Sequence, residues 1–416
     1  MDIENNKISG RQLGRMVFYD YFALTILVLP GIVAKAAGMD GFFALAAGCA
    51  AGYGLLVLVL ISMKEMRRNG KTYDSYLRGY FGSFFTTMIL LAELLTALFG
   101  AAYGLYLLCV ISRQYLIRET PVWLVLAILT GLAVYALNAG IESRGRMYEM
   151  MFWVVLIPLL LLFFLAAHNV EADRWVPVFC TAGAKMFKSS YVVFAFFAGS
   201  VFLPMLMENV PERANAARVI KQGFLFSACA NLILFLLLTG IFGAQTVATM
   251  DEAVVTLTAM VKIPGGFFER QDALLCAILL VSMFAFVENM FGYAFWCMKK
   301  ISVTIQSRSE RNCEGIERSP KSAHRWCLPV AGAVLYALAV CMQRSRSFRI
   351  LLARIYLQIA VPVLAGMVLV VCMLSLWNNR RRHRKSAAVQ HRQERDGEGT
   401  EQLQKTNMGR NADEGI

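Results

Sequence analysis

The sequence predicts an all-α, polytopic membrane protein with about ten transmembrane helices. They are arranged as a 5+5 inverted repeat in which helices one and six are broken. Three observations carry this. The chain is 58% hydrophobic and only 17% charged, more apolar than soluble domains. Apolar stretches long enough to cross a bilayer recur from end to end. The first stretch of each half carries helix-breaking residues near its middle, Pro30-Gly31 in one and Gly199-Ser200 followed by Pro204 in the other. Proline removes a backbone donor and glycine tolerates almost any φ. In lipid such a break is tolerated only where protein or a wet cavity satisfies the freed groups. Paired breaks in corresponding helices are the sequence pointer to a solute site between inverted repeats.

In chain order, residues 1–15 are polar and read as a cytoplasmic N-terminus, and 16–377 form the transmembrane domain. The first apolar segment, 16–38, is too long for a signal-peptide core and reads as a membrane span. Further spans are expected at roughly 42–62, 84–112, 121–138, 147–168, 190–207, 219–243, 272–298, 328–343 and 350–377. The third and eighth are longer than a perpendicular helix needs, and tilting accommodates such length. Residues 378–416 carry RRRHRK (380–385) near their start and turn acidic, which reads as a disordered cytoplasmic tail.

Charge sets the orientation. With both ends inside, 29 of the 41 Lys and Arg residues fall on cytoplasmic segments and 11 on outer loops. The discordant outer loop holds Arg344, Arg346 and Arg349. The net charge of +13 is mostly this asymmetry, so it calls for lipid headgroups and no nucleic-acid partner. Ten dispersed cysteines and four dispersed histidines show no metal-ligand spacing. With no nucleophile–base set and no phosphate-binding glycine loop either, neither an enzyme nor a cofactor is expected.

Three stretches resemble the spore germination permease family within the amino acid/polyamine/organocation transporter superfamily. They are LVLPGIVAKAAGMDGFF (27–43), WVPVFCTAG (175–183) and GIFGAQTVATMDEAVVTLTAMVKIPGGFFERQDALL (240–275). The resemblance covers most of residues 8–300. It implies a ten-span broken-helix protein of the spore inner membrane or cell membrane of a spore-forming bacterium, binding a small nutrient such as an amino acid. It also implies an A-type membrane subunit and a C-type lipoprotein as partners in a germinant receptor. The chain departs from the family in places. Ala23 and Thr25 stand where a Gly-x-Gly often precedes the first break. Phe196 and Phe197, then Gly199-Ser200, stand where an acidic residue often follows a glycine. Glu288-Asn289 lies near the position of a family lysine.

The candidate ligand-binding residues are therefore Ala23, Thr25, Pro30, Gly31, Glu93, Gly199, Ser200, Glu288, Asn289 and Tyr293. A carboxylate near mid-membrane costs a few kcal/mol, so Glu93 and Glu288 are expected to face the bundle or a wet cavity. Each is open to two readings, proton carrier or ligand contact on one side and a hydrogen-bonded structural acid on the other. Tyr293, one turn beyond Asn289, is expected either to pack or to face the same cavity. Asp20 is expected to be solvated near the cytoplasmic end, with a gate pair to an arginine as the alternative. Lys35 is expected to snorkel at the outer end of span one, and Glu269-Arg270 to form a salt bridge at the mouth of span eight. Two functions remain open: a receptor whose ligand biases a conformational equilibrium, and a proton-coupled amino acid permease working by alternating access.

Overall fold

A computed structural model describes residues 7–68, 70–177, 179–211, 215–250, 252–260, 271–310 and 323–377, with 271–273, 303–310 and 323–326 given as backbone. Among the described residues every regular element is helical. Span one is α1 (Gly10–Ala37). It is opened by a capping box in which Ser9 Oγ accepts from the Gln12 N–H and Gln12 Oε1 from the Ser9 N–H, at 3.3 and 2.9 Å. A 3-10 turn (Gly38–Asp40) leads into α2 (Gly41–Arg68), whose last-turn arginines complement the helix dipole. α3 (Tyr73–Tyr115) begins well before the apolar run that defines span three, and turns into it at Gly82, where φ is 75°. That conformation is cheap only for glycine.

α4 (Val122–Asn138) and α5 (Ile141–Ala167) complete the first half. Span six is α6 (Gly183–Phe197), a 3-10 segment (Ala198–Phe202) and α7 (Leu203–Met207). Span seven is α8 (Ala216–Phe242), followed by two short helices, α9 (Ala244–Val247) and α10 (Ala253–Met260). Span eight is α11 (Gln271–Glu310) and span nine is α12 (Ala323–Arg344). Span ten is α13 (Arg346–Ile355), a π-helical turn (Tyr356–Ala360) and α14 (361–377). Among the described residues eight stretches are long and apolar enough to cross a membrane. The first of them is α1 and α2 in succession, and the shorter apolar α4 brings the spans to ten.

Packing follows the repeat. An inverted 5+5 arrangement maps span one onto six, two onto seven and three onto eight. The most extensive contacts are α3 with α11, α1 with α8, and α2 with α6. Spans three and eight thus map onto each other, and the one–seven and six–two pairs interchange. Both interchanging pairs cross at glycines. A Cβ on Gly223 of α8 would lie 2.7 Å from the Gly14 carbonyl of α1, and one on Gly48 of α2 would lie 2.7 Å from the Ser190 carbonyl of α6. Small residues at such crossings let helices approach to backbone contact in lipid.

The two breaks differ from one another. Span six is interrupted at Gly199-Ser200 by the 3-10 segment, as the sequence suggests. Span one corrects the expectation, because α1 runs helical through Pro30. The proline deprives the Ile26 carbonyl of its helical donor without parting the helix. Gly31 instead admits the chain above it, since a Cβ there would meet the Met250 carbonyl at 3.3 Å. At the outer end of α1, the Asp40 carboxylate accepts the N–H of Phe179 and, at 2.7 Å, that of Thr181. The Thr181 hydroxyl donates to the Ala37 carbonyl at 3.0 Å, and the Phe179 ring stacks on Phe43. The turn between spans one and two thereby holds the connection that leads into span six.

Candidate functional site

A cavity of about 260 Å³ lies against the span-six interruption, just below the roughly 300–1,000 Å³ of drug-sized ligand sites. It is enclosed by α1, α3, α6 with its 3-10 segment, α11, and span ten at its π-helical turn. Gly199 keeps it open on the span-six side, where a Cβ would find only the Tyr21 ring at 3.7 Å. Its walls are mainly apolar, and Phe99, Phe196, Phe202 and Phe286 contribute four phenyl rings. Thr25, Thr96, Tyr103, Tyr356 and Asp20 are the lining residues with polar side chains.

A buried polar network extends from Asp20 toward the side assigned to the cytoplasm. Asp20 accepts from Asn289 Nδ2 at 2.8 Å and from the Tyr293 hydroxyl at 2.5 Å. The same amide accepts from Arg144 Nη2 at 3.0 Å. Since a guanidinium only donates and a carboxylate only accepts, the Asn289 oxygen must face Arg144 and its NH2 must face Asp20. Arg144 forms an ion pair with Glu288 through Nε. The Tyr148 hydroxyl lies 2.8 Å from both Glu288 Oε2 and the Ala285 carbonyl, with one proton to give. Gly292 makes room for this arrangement, because a Cβ there would lie 2.9 Å from the guanidinium. On the far side of the network is a second space, about 550 Å³, lined by Arg144 and Tyr293 together with Asp74, Glu208 and Lys300. The network therefore separates the aromatic cavity from a polar vestibule.

The structure places nine of the ten sequence-derived candidates in four groups. Thr25 and Gly199 line the cavity. The Thr25 hydroxyl turns back on the Tyr21 carbonyl and accepts from Asn231 Nδ2 at 2.9 Å, which ties α8 to α1. Glu288, Asn289 and Tyr293 form the network beneath it, Tyr293 also stacking on Phe202 at 5.1 Å. Ala23 and Ser200 are buried in the packing, Ser200 beside Tyr21. Pro30 and Gly31 lie under the 247–250 turn, off the cavity lining.

Glu93 stands apart. It is fully buried on α3, accepts from the Tyr73 hydroxyl at 2.6 Å, and its Oε2 has no partner among the described residues. Asp20 departs from the first of its two expectations, solvation, and of the second, a gate pair to an arginine, it shows an indirect form, joined to Arg144 through Asn289. It is 8% exposed and lines the cavity. Lys35 is exposed in the last turn of α1. Glu269 and Arg270 lie outside the described residues. The sequence does not single out Arg144, because its place in a basic loop hides its burial from any one-dimensional count.

A helical bundle built on an inverted repeat, with an enclosed cavity at an interrupted span, defines a multi-pass membrane protein of transporter-like fold. The solved structures agree. The chain is similar to a Na+-coupled sialic acid symporter in a substrate-bound outward-open state, with a TM-score of 0.61 and 14% identity over 89% of this chain and 79% of that one. It is also similar to a nucleobase–cation symport-1 family transporter in a closed conformation, with a TM-score of 0.59 and 16% identity over 88% and 80%.

Sequence comparison narrows the class. Residues 7–313 match the spore germination protein family, the spore permeases, and the chain belongs to it. Spore germination protein YndE of Bacillus subtilis (strain 168) is 20% identical over 379 residues, covering 90% of this chain and 98% of that protein. Spore germination protein B2 of the same organism is 21% identical over 297 residues, covering 69% and 77%.

Proposed function

We propose that this protein is the ligand-binding membrane subunit of a spore germinant receptor, with a small nutrient occupying the cavity beside the span-six interruption. The observation that carries this reading is the enclosed aromatic cavity whose one carboxylate is wired through Asn289 to a buried ion pair. Occupancy at Asp20 would change what the ion pair feels, and a ligand shifts a conformational equilibrium only through such differential contact. An A-type membrane subunit and a C-type lipoprotein would read the shift. Replacing Gly199 with Leu fills the cavity while leaving α6 and α7 apolar. The expected outcome is loss of germination response with normal amounts of protein in the membrane. A full response at unchanged nutrient concentration places the ligand elsewhere.

A second reading, proton-coupled nutrient transport, draws support from the polar vestibule and from Glu93, whose second oxygen has no partner among the described residues. Purified protein in proteoliposomes under an imposed pH gradient separates the two. The receptor reading expects no uphill accumulation of labelled amino acids. Accumulation that Glu93→Gln abolishes makes the chain a permease first.

A further inference from the structure

The charges around the cavity do not balance. Asp20 is its only lining carboxylate, and no Lys, Arg or His lines it among the described residues. Both hydrogen-bond donors to Asp20, the Asn289 amide and the Tyr293 hydroxyl, are neutral. The nearby cation, Arg144 of α5, spends its charge on Glu288 of α11, with Tyr148 completing that carboxylate. Arg349 of α13 stacks on Tyr106 at 4.5 Å, donates to the Met342 carbonyl and does not line the cavity. With Asp20 and Glu288 ionised, the cluster therefore holds two negative charges against one positive. A buried carboxylate held only by neutral donors is costly, and a cation arriving beside it removes that cost.

The rest of the wall suits the same kind of guest. Four phenyl rings and the rings of Tyr103 and Tyr356 surround the space, and aromatic faces attract a desolvated ammonium while packing an alkyl body. Resting on the reading of this cavity as the solute site, we propose that it selects solutes by a protonated amine held on Asp20, and that a carboxylate on the solute is dispensable. The ligand class is small apolar amines, with apolar amino acids binding through the same group. Carboxylic acids of equal shape are excluded, since they would set a second anion beside Asp20.

The test uses full-length protein in nanodiscs and three matched sets of probes: alanine, ethylamine and propionate; leucine, 3-methylbutylamine and 4-methylpentanoate; phenylalanine, phenethylamine and 3-phenylpropionate. Binding is read by calorimetry at pH 7. In at least one set the amine binds within about tenfold of the amino acid and the acid does not bind. Asp20→Asn weakens the amine by about 30-fold or more, the scale for truncating one side of a buried charge pair. Gly199→Leu abolishes binding of every probe. Acid and amine binding equally in the wild type would overturn the proposal without any variant, assigning the balancing charge to a proton on Asp20. Amino acids binding while no amine does, or no amine-bearing probe binding at millimolar concentration, would also overturn it. Probe binding that survives Gly199→Leu rejects the cavity itself, a result distinct from failure of the amine selection.

Discussion

Glu93 and Glu288 occupy helices that the inverted repeat makes equivalent, spans three and eight, and both are fully buried. Their surroundings are opposite. Glu288 has both oxygens occupied, one by the Arg144 guanidinium and one by Tyr148. Glu93 has a single phenol, from Tyr73 on its own helix, and an oxygen with no partner among the described residues. Removing a carboxylate that pairs with a buried cation strands the opposite charge, whereas a carboxylate held by a neutral phenol leaves no charge behind. Equivalent helices thus carry one ion-paired acid and one held by a neutral donor, a difference that symmetry at the level of backbone does not reveal.

The largest test of this contrast is Glu288→Gln. It leaves Arg144 buried without a counter-charge, and the expected cost is about 3–5 kcal/mol, read as thermal unfolding in detergent. Replacing both partners with apolar residues, Arg144→Met with Glu288→Leu, should recover most of that loss. If the single variant is as stable as wild type, the ion pair is not the anchor described here. Tyr73→Phe comes next, at about 1–3 kcal/mol, because it leaves a buried acceptor with nothing to bond. Glu93→Gln should be the mildest, within about 1 kcal/mol in the same assay, since the amide oxygen keeps the Tyr73 bond. A Glu93 variant as damaged as the Glu288 one would erase the distinction.

The span pattern and the span-six interruption were legible in the sequence, because apolar length and helix-breaking residues are local properties. The course of span one was not. Proline reads as a break wherever it falls, yet here only one carbonyl loses its donor, and the neighbouring glycine serves a loop more than two hundred residues away. Asp20 illustrates a different limit. Near the charged end of a span an acid is expected to meet water, and only the fold brings Asn289 and Tyr293 beside it. Arg144 was hidden for the same reason. The discordant outer arginines are partly explained, since Arg349 is engaged with Tyr106 and a backbone carbonyl. It therefore carries little information about which side of the membrane it lies on.

The Asp40 contacts have a mechanical meaning. By gripping the backbone at Phe179 and Thr181, this carboxylate couples the outer end of span one to the chain that enters span six. Prising these two spans apart at that end would first have to break those hydrogen bonds. On the other side of the cavity stand Tyr103 of α3 and Tyr356 and Leu357 of span ten. The π-helical turn at Tyr356–Ala360 lies there, an irregular turn at which bending would cost less than in regular helix.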